Sequence, residues 1–298
     1  MEQSWRQAKS MFAAMLSVPL FWLVVFFMVP LGIVWLYSFG ENRGLVDIAF
    51  TGTWSNYARA LEWDNLAIFL KSIGIAAITT ALCLVIGFPV ALAITFAPEK
   101  VKPWLLLLIM LPFWTNLLIR TYALIAVLRE QGYINMGYHW GFDIVNGLTG
   151  GALGEFHALP LMYNNFAVVF GLVFVNLPFM ILPLYSTLDR LDRSLLEASL
   201  DLGAGHIRTL FNVVVPMAGA GIASGILITF IPALGSYLTP DLLGGADALM
   251  IANVIEAQFK RANNWPFGAA LSFLLVYMTF IAIAVQGLIE RKPAGSRS

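Results

Sequence analysis

Six apolar runs, at about 17–39, 70–96, 103–128, 167–187, 213–238 and 267–289, decide what this chain can fold into. Each reaches the roughly 20 residues an α-helix needs to cross a bilayer core of about 30 Å. Lipid offers no water to an unpaired backbone group, so such runs must close their hydrogen bonds internally, as helices. The sequence therefore predicts an all-α membrane protein with six transmembrane helices. Composition agrees: 59% of the 298 residues are hydrophobic and 11% charged, against roughly a quarter charged in soluble domains. Pro30, Pro178 and Pro232 lie inside runs, where neighbouring helices can re-satisfy the freed backbone groups. Trp104, Trp114 and Trp265 lie at or near run ends, as interfacial aromatics do.

Residues 1–16 form a polar to mixed N-terminal segment carrying Arg6 and Lys9. The run that follows exceeds the 7–15 residues of a signal-peptide core and ends in Tyr37-Ser38-Phe39 rather than a small-residue cleavage site, so a retained first span is expected. Orientation follows from Lys and Arg. Segments 1–16, 97–102, 188–212 and 290–298 carry Arg6, Lys9, Lys100, Lys102, Arg190, Arg193, Arg208, Arg291, Lys292 and Arg297. The longer segments opposite, 40–69, 129–166 and 239–266, carry only Arg43, Arg59, Arg129, Lys260 and Arg261. Ten against five places both termini, the 188–212 loop and the 290–298 tail in the cytoplasm.

Several function classes drop out. A formal net charge of +0 argues against nucleic acid as a partner. Cys83, the single cysteine, lies in an apolar run, and His139, His157 and His206 have no ligand spacing, so no metal site is expected. Glycines around 147–154 suggest a phosphate loop but lack the Gly-Lys ending; a flexible external loop is the reading there. No Gly-Lys pair occurs anywhere, so any nucleotide site belongs to another polypeptide.

The most informative polar stretch is Glu197-Ala198-Ser199-Leu200-Asp201-Leu202-Gly203, followed by Val213-x-Val215-Pro216. Ser194 and Glu197 have capping-box spacing. Gly203 permits the left-handed residue that ends a helix, and a second helical run is expected from near His206. A capped helix linking two spans is an ordinary device in polytopic proteins. Its spacing, however, resembles the EAA signature of permease subunits of ABC importers, with Ser199 for the second Ala and Val for Ile and Leu.

Further blocks resemble the spermidine/putrescine importer permeases of the PotB and PotH type. They include Leu111-Pro112-Phe113-Trp114-Thr115-Asn116 with Arg120, Leu177-Pro178-Phe179-Met180, Asp241-Leu242-Leu243-Gly244-Gly245 and Asn264-Trp265-Pro266-Phe267-Gly268. With the EAA loop they cover about 67–290. The resemblance implies a type I importer transmembrane domain and a subunit that does no bond chemistry. It also implies a second, similar permease, two ATPases that hold ATP and magnesium, and a solute-binding protein on the far side of a bacterial inner membrane. Glu197, Ala198, Ser199, Asp201, Gly203 and Pro216 would then couple this chain to the ATPase.

A polyamine would suit carboxylates and aromatic faces, which makes Trp114, Tyr237, Asp241 and Glu256 candidates for the path or gate, with Asn116, Asn176 and Arg120 beside them. Arg120 lies about 24 Å along its helix from Trp104 at 1.5 Å per residue, near the outer face, where snorkelling and facing a cavity both fit. Asn176 can cap a turn opened by Pro178 or bond a neighbouring helix. Gly221-x-x-x-Gly225 permits close approach of another helix, from this chain or a partner. The stripe Ile251, Val254, Ile255 and Phe259 predicts an amphipathic helix lying at the outer surface, with an ordinary loop helix as the alternative. An ABC permease for another solute remains open. A gradient-driven carrier would show buried carboxylates or broken repeat helices, and a membrane enzyme would show a polar catalytic cluster; neither is evident.

Overall fold

The structure, a computed structural model, describes residues 9–43, 48–149 and 154–290. The external-loop reading for 150–153 and the terminal charges Arg6, Arg291, Lys292 and Arg297 lie outside the described residues. The described residues are helical apart from loops and a two-stranded antiparallel ribbon of β1 (Glu41–Asn42) and β2 (Ile48–Ala49). In order the helices are α1 (Lys9–Leu23), α2 (Val29–Tyr37), α3 (Ser55–Ala60), α4 (Trp63–Thr95), α5 (Lys102–Met110), α6 (Leu117–Leu128) and α7 (Tyr133–Leu148). They continue with α8 (Asn165–Leu188), α9 (Arg193–Asp201), α10 (His206–Thr209), α11 (Val215–Met217), α12 (Gly219–Leu234), α13 (Leu238–Leu243), α14 (Ile251–Lys260) and α15 (Trp265–Glu290).

Among the described residues four helical stretches are long and apolar enough to cross a membrane: Met15–Tyr37, Trp63–Thr95, Asn165–Leu188 and Trp265–Ala284. The apolar runs at 103–128 and 213–238 fall instead on bent pairs, Lys102–Trp114 with Leu117–Leu148 at 95° and His206–Met217 with Gly219–Leu234 at 68°. Prolines explain the irregularities. A proline ring clashes with the carbonyl four residues back. For Pro30 and Pro216 that carbonyl belongs to Phe26 and Asn212, each inside a five-residue π turn, Val24–Met28 and Leu210–Val214. The wider turn makes room for the ring. After Pro112 the chain tightens to a 3-10 turn, Leu111–Trp114, then extends at Thr115 and Asn116 before α6 begins.

Two compact units divide the chain, one from residues up to Leu66 with Ile255–Ile281, the other from Ala67–Val254 with the remainder of α15. In the first, Ser38 and Tyr57 hydroxyls bond at 2.8 Å, Asn56 donates to the Ser38 and Gly40 carbonyls, and the Trp35 indole donates to Tyr277 at 2.9 Å. The Arg59 guanidinium sits 4.3 Å over the Phe267 ring.

The second unit is built on α8 against α12 and α4. Lipid tails are as apolar as leucine, so close packing rather than burial from water holds such helices together. The Gly221 and Gly225 spacing serves this contact within the chain. A Cβ on Gly221 would stand 2.5 Å from Thr187 Oγ1 and 2.9 Å from the Pro183 carbonyl; one on Gly225 would meet Met180 Sδ at 2.8 Å. Backbone cannot retreat but a thioether can. Gly221→Ala is therefore expected to lower membrane abundance severalfold, at the roughly 1–3 kcal/mol typical of overpacking, and Gly225→Ala much less. Equal abundance of the two variants on quantitative blots would contradict this ranking.

Candidate functional site

The Glu197 helix is α9, and its caps explain why it is a unit. Its N-cap is Asp192, whose carboxylate accepts from the Ser194 N–H at 3.0 Å. Ser194 is thus inside the helix, and the capping box expected between Ser194 and Glu197 does not form. Asp192 stands two residues earlier in extended conformation, the backbone state an N-cap requires. The C-terminal expectation fits the geometry. Gly203 has φ +82°, its N–H bonds the Leu200 carbonyl at 2.9 Å, and the Ala204 N–H bonds the Ser199 carbonyl at 3.1 Å. This double closure is a Schellman motif. α10 then starts at His206, and the Ser199 and Thr209 hydroxyls, 2.9 Å apart, tie α9 to it.

The Asp192 carboxyl is held below its usual range by the Ser194 backbone N–H. Stability from this cap is complete above the unfolded value of about 3.9 and is lost as pH falls through the lower folded value. Asp192→Ala should speed amide exchange over 193–196 at neutral pH, whereas Asp192→Asn, which keeps an acceptor, should not. Equal protection in all three proteins would remove the cap from the account.

Glu197, Ala198 and Asp201 are exposed. Ala198, Ser199 and Pro216 line an open groove of about 560 Å³ between α9 and α11, together with Leu202, Arg208 and Met217. Leu202 is 88% exposed, so the end of α9 presents an apolar tip. Opposite, Leu196 packs into the core of Cys83, Met180, Leu184, Leu188 and Val214.

A polar tie that sequence reading missed sits at the base of α9. Lys102, 7% exposed, bonds Glu99 Oε1 at 2.7 Å and Asp189 Oδ1 at 2.8 Å. Asp189 caps the end of α8, and Lys102 opens α5. Beside them the Arg193 guanidinium lies 5.9 Å from the Phe96 ring, across a cavity of about 370 Å³. The two pair members are 87 residues apart, so no local pattern marks them.

The candidate path residues do not converge on one cluster. Trp114 is exposed at the end of the 3-10 turn, and Asn116 caps α6 by accepting from the Leu118 N–H at 2.8 Å. Arg120 is half-buried, 5.8 Å from the Phe113 ring, and its buried Nε has no partner among the described residues. Asn176 is buried and donates to the Leu172 carbonyl at 2.8 Å, one turn back in its own helix rather than across to a neighbour. Asp241 is exposed on α13, a helix packed against α6, and the Tyr237 carbonyl accepts from Asn253 at 2.8 Å. Glu256 pairs with Lys260 at 3.0 Å. Of the 247–261 stripe, Ile251 is buried and its N–H donates to Ser72 at 2.8 Å, whereas Val254, Ile255 and Phe259 are half-buried. Lys71 is likewise tied, to the Asp247 carbonyl.

Residues 84–294 match the family described as binding-protein-dependent transport system inner membrane component. The spermidine/putrescine transport system permease protein PotB of Salmonella typhimurium (strain LT2) is 38% identical over 271 residues, 91% of this chain and 90% of that protein. PotB of Escherichia coli (strain K12) is also 38% identical over 271 residues, 91% of this chain and 94% of its own. A solved chain from a bacterial ABC transporter that imports the acidic polysaccharide alginate aligns over 98% of this chain and 99% of that one, with TM-score 0.68 and 14% identity. A chain of a bacterial alginate ABC transporter in complex with pentasaccharide-bound periplasmic protein aligns over 97% and 98%, with TM-score 0.68 and 14% identity. At that identity the likeness speaks for the fold. A family match over most of the apolar helices, the capped α9 between two of them, and relatives matched nearly end to end agree: this chain belongs to the inner-membrane components of binding-protein-dependent transport systems.

Proposed function

We propose that this chain is one permease subunit of an ATP-driven polyamine importer, with spermidine and putrescine as the solute class. The likeness to PotB along nearly the whole chain supports it. The observation that carries the coupling role is α9, closed by Asp192 and Gly203 and presenting exposed Glu197, Asp201 and Leu202. Both bent pairs count as one span each, which gives six spans with both termini in the cytoplasm. Glu197, Ala198, Ser199, Asp201, Gly203 and Pro216 form the docking element. A second, similar permease, two cytoplasmic ATPases and an extracytoplasmic binding protein complete the assembly. ATP and magnesium belong to the ATPases, and hydrolysis happens there.

The mechanism is mechanical. Closure of the ATPases displaces α9, which moves as a body because both ends are closed. Displacement passes to α4 and α5 through Phe96 and Lys102, and to α10 through Thr209. A carrier driven by an ion gradient is disfavoured: among the described residues no Asp or Glu is buried. Arg120 favours a second reading, a permease for a solute without dense positive charge, because a guanidinium with no carboxylate partner among the described residues repels polycations.

Reconstitution with the partner subunits decides between them. Binding-protein-dependent uptake of radiolabelled putrescine or spermidine, requiring ATP, is the expected result. Uptake of another solute with polyamines ignored would establish the second reading. Uptake by the chain alone on an ion gradient would overturn both.

A further inference from the structure

We infer that α7 is an interfacial helix, lying along the outer headgroup region of the bilayer with its apolar arc in lipid. Its membrane setting rests on the family assignment, and only the choice of leaflet rests on the proposed orientation.

Tyr133, Met136, Trp140, Ile144, Val145 and Leu148 fall on one arc of about 180° at 3.6 residues per turn. All six are exposed, with Tyr133 and Trp140 at 71% and Leu148 at 83%. The opposite side is already occupied. Asn135, buried, accepts from the Leu159 N–H at 2.9 Å and donates to the Leu159 carbonyl at 3.1 Å. The Phe156 ring sits 4.3 Å from His139 and 5.5 Å from Phe142, and His139 meets Asp143 at 3.3 Å. The returning segment thus fixes which face of α7 is left over, and that face has no charged residue.

Three observations favour lipid over a protein partner. Contact with a core buries a stripe a little over 100° wide, whereas this arc covers about half the helix, which suits a medium better than a single neighbour. Its Tyr and Trp pair an apolar body with a polar tip, the combination enriched at headgroup level. Finally, the chain turns by 95° between Lys102–Trp114 and Leu117–Leu148, so α7, at the far end of the second segment, does not prolong the direction of the first. Only residues 129–132 separate α7 from α6, whose Leu118, Ile119 and Tyr122 are also exposed. A binding protein that docks and leaves would return the whole arc to water in every cycle, against the hydrophobic effect.

Cys83 is the single cysteine, so Cys83→Ala gives a background for labelling. Spin labels would be placed one at a time at Tyr133→Cys, Trp140→Cys and Leu148→Cys, with the exposed polar position Asp143→Cys as the control, in the assembled transporter in bilayers. Oxygen collision rates severalfold above those of water-soluble nickel–EDDA at the three arc positions, reversed at the control, are expected. Nickel access along the arc would overturn the inference. So would low access to both reagents, the signature of a partner permease, or nickel access abolished by added binding protein. Labelling of Asp143→Cys by an impermeant maleimide from the cytoplasmic side alone would overturn the outer placement. Polyamine uptake measured on the same samples tests the solute reading separately, since the collision rates do not depend on which solute moves.

Discussion

Replacing Gly203 by valine is expected to reduce uptake more than tenfold while the protein stays in the membrane at near-normal abundance. The reason is confined to the backbone. At φ +82° a side chain meets its own following carbonyl, although nothing else lies within 4 Å of the Cβ position. A non-glycine residue in left-handed conformation costs about 1–2 kcal/mol, and a β-branched one is a genuine outlier. That energy shifts the population of the closed cap by about 5–30-fold. The Schellman bonds from Gly203 and Ala204 then open, and the last turn of α9 frays where the ATPase would press on it. No core contact is touched, so folding should be spared. Asparagine, which tolerates this conformation best after glycine, should retain most uptake, alanine less and valine least. The order is read by measuring uptake together with binding-protein-stimulated ATP hydrolysis. Full uptake in Gly203→Val would show that the cap does not carry coupling, and equal losses for asparagine and valine would show that side-chain volume rather than backbone strain matters.

Gly203 was legible in the sequence because its signal is local: a glycine after a polar amphipathic stretch, at a spacing shared with a known signature. The apolar runs were legible for the same reason, since length and hydropathy are properties of contiguous residues. Ser194 was misread because Asp192 and Ser194 are both good N-caps, and only the backbone angles decide between them. The stripe at Ile251–Phe259 has the period of the helix that forms, but it does not reveal that the Ile251 N–H bonds Ser72, 179 residues earlier. α7 was missed because Gly137, Gly141 and Gly147 weaken its helix propensity. What holds it is the tertiary bond pair between Asn135 and Leu159. The two bends lie inside long apolar runs, which hide them: Thr115 and Asn116 are only two polar residues within 103–128, and Ala218 does not differ in character from its neighbours.

Lys102 belongs to the part that sequence could not reveal, and it carries the second large expectation. Lys102→Met should lower the amount of solute moved per ATP at least fivefold with membrane abundance within about twofold of wild type. Methionine keeps most of the stem volume and removes the charge. Its former partners can then hydrate, because the Glu99 and Asp189 side chains are 82% and 38% exposed, so the loss does not strand a buried ion as in a closed interior. What disappears is the tie between the start of α5 and the end of α8, one turn from the point where α9 begins. Movement of α9 would then bend the 189–192 segment instead of carrying α5 with it. Lys102→Arg, which preserves the charge and can span the same two carboxylates, should restore the ratio to near wild type. A purely structural tie would lower abundance and hydrolysis together and leave the ratio alone. An unchanged ratio in Lys102→Met would therefore remove the tie from the coupling route while leaving the role of α9 standing, because Gly203→Val tests that role independently.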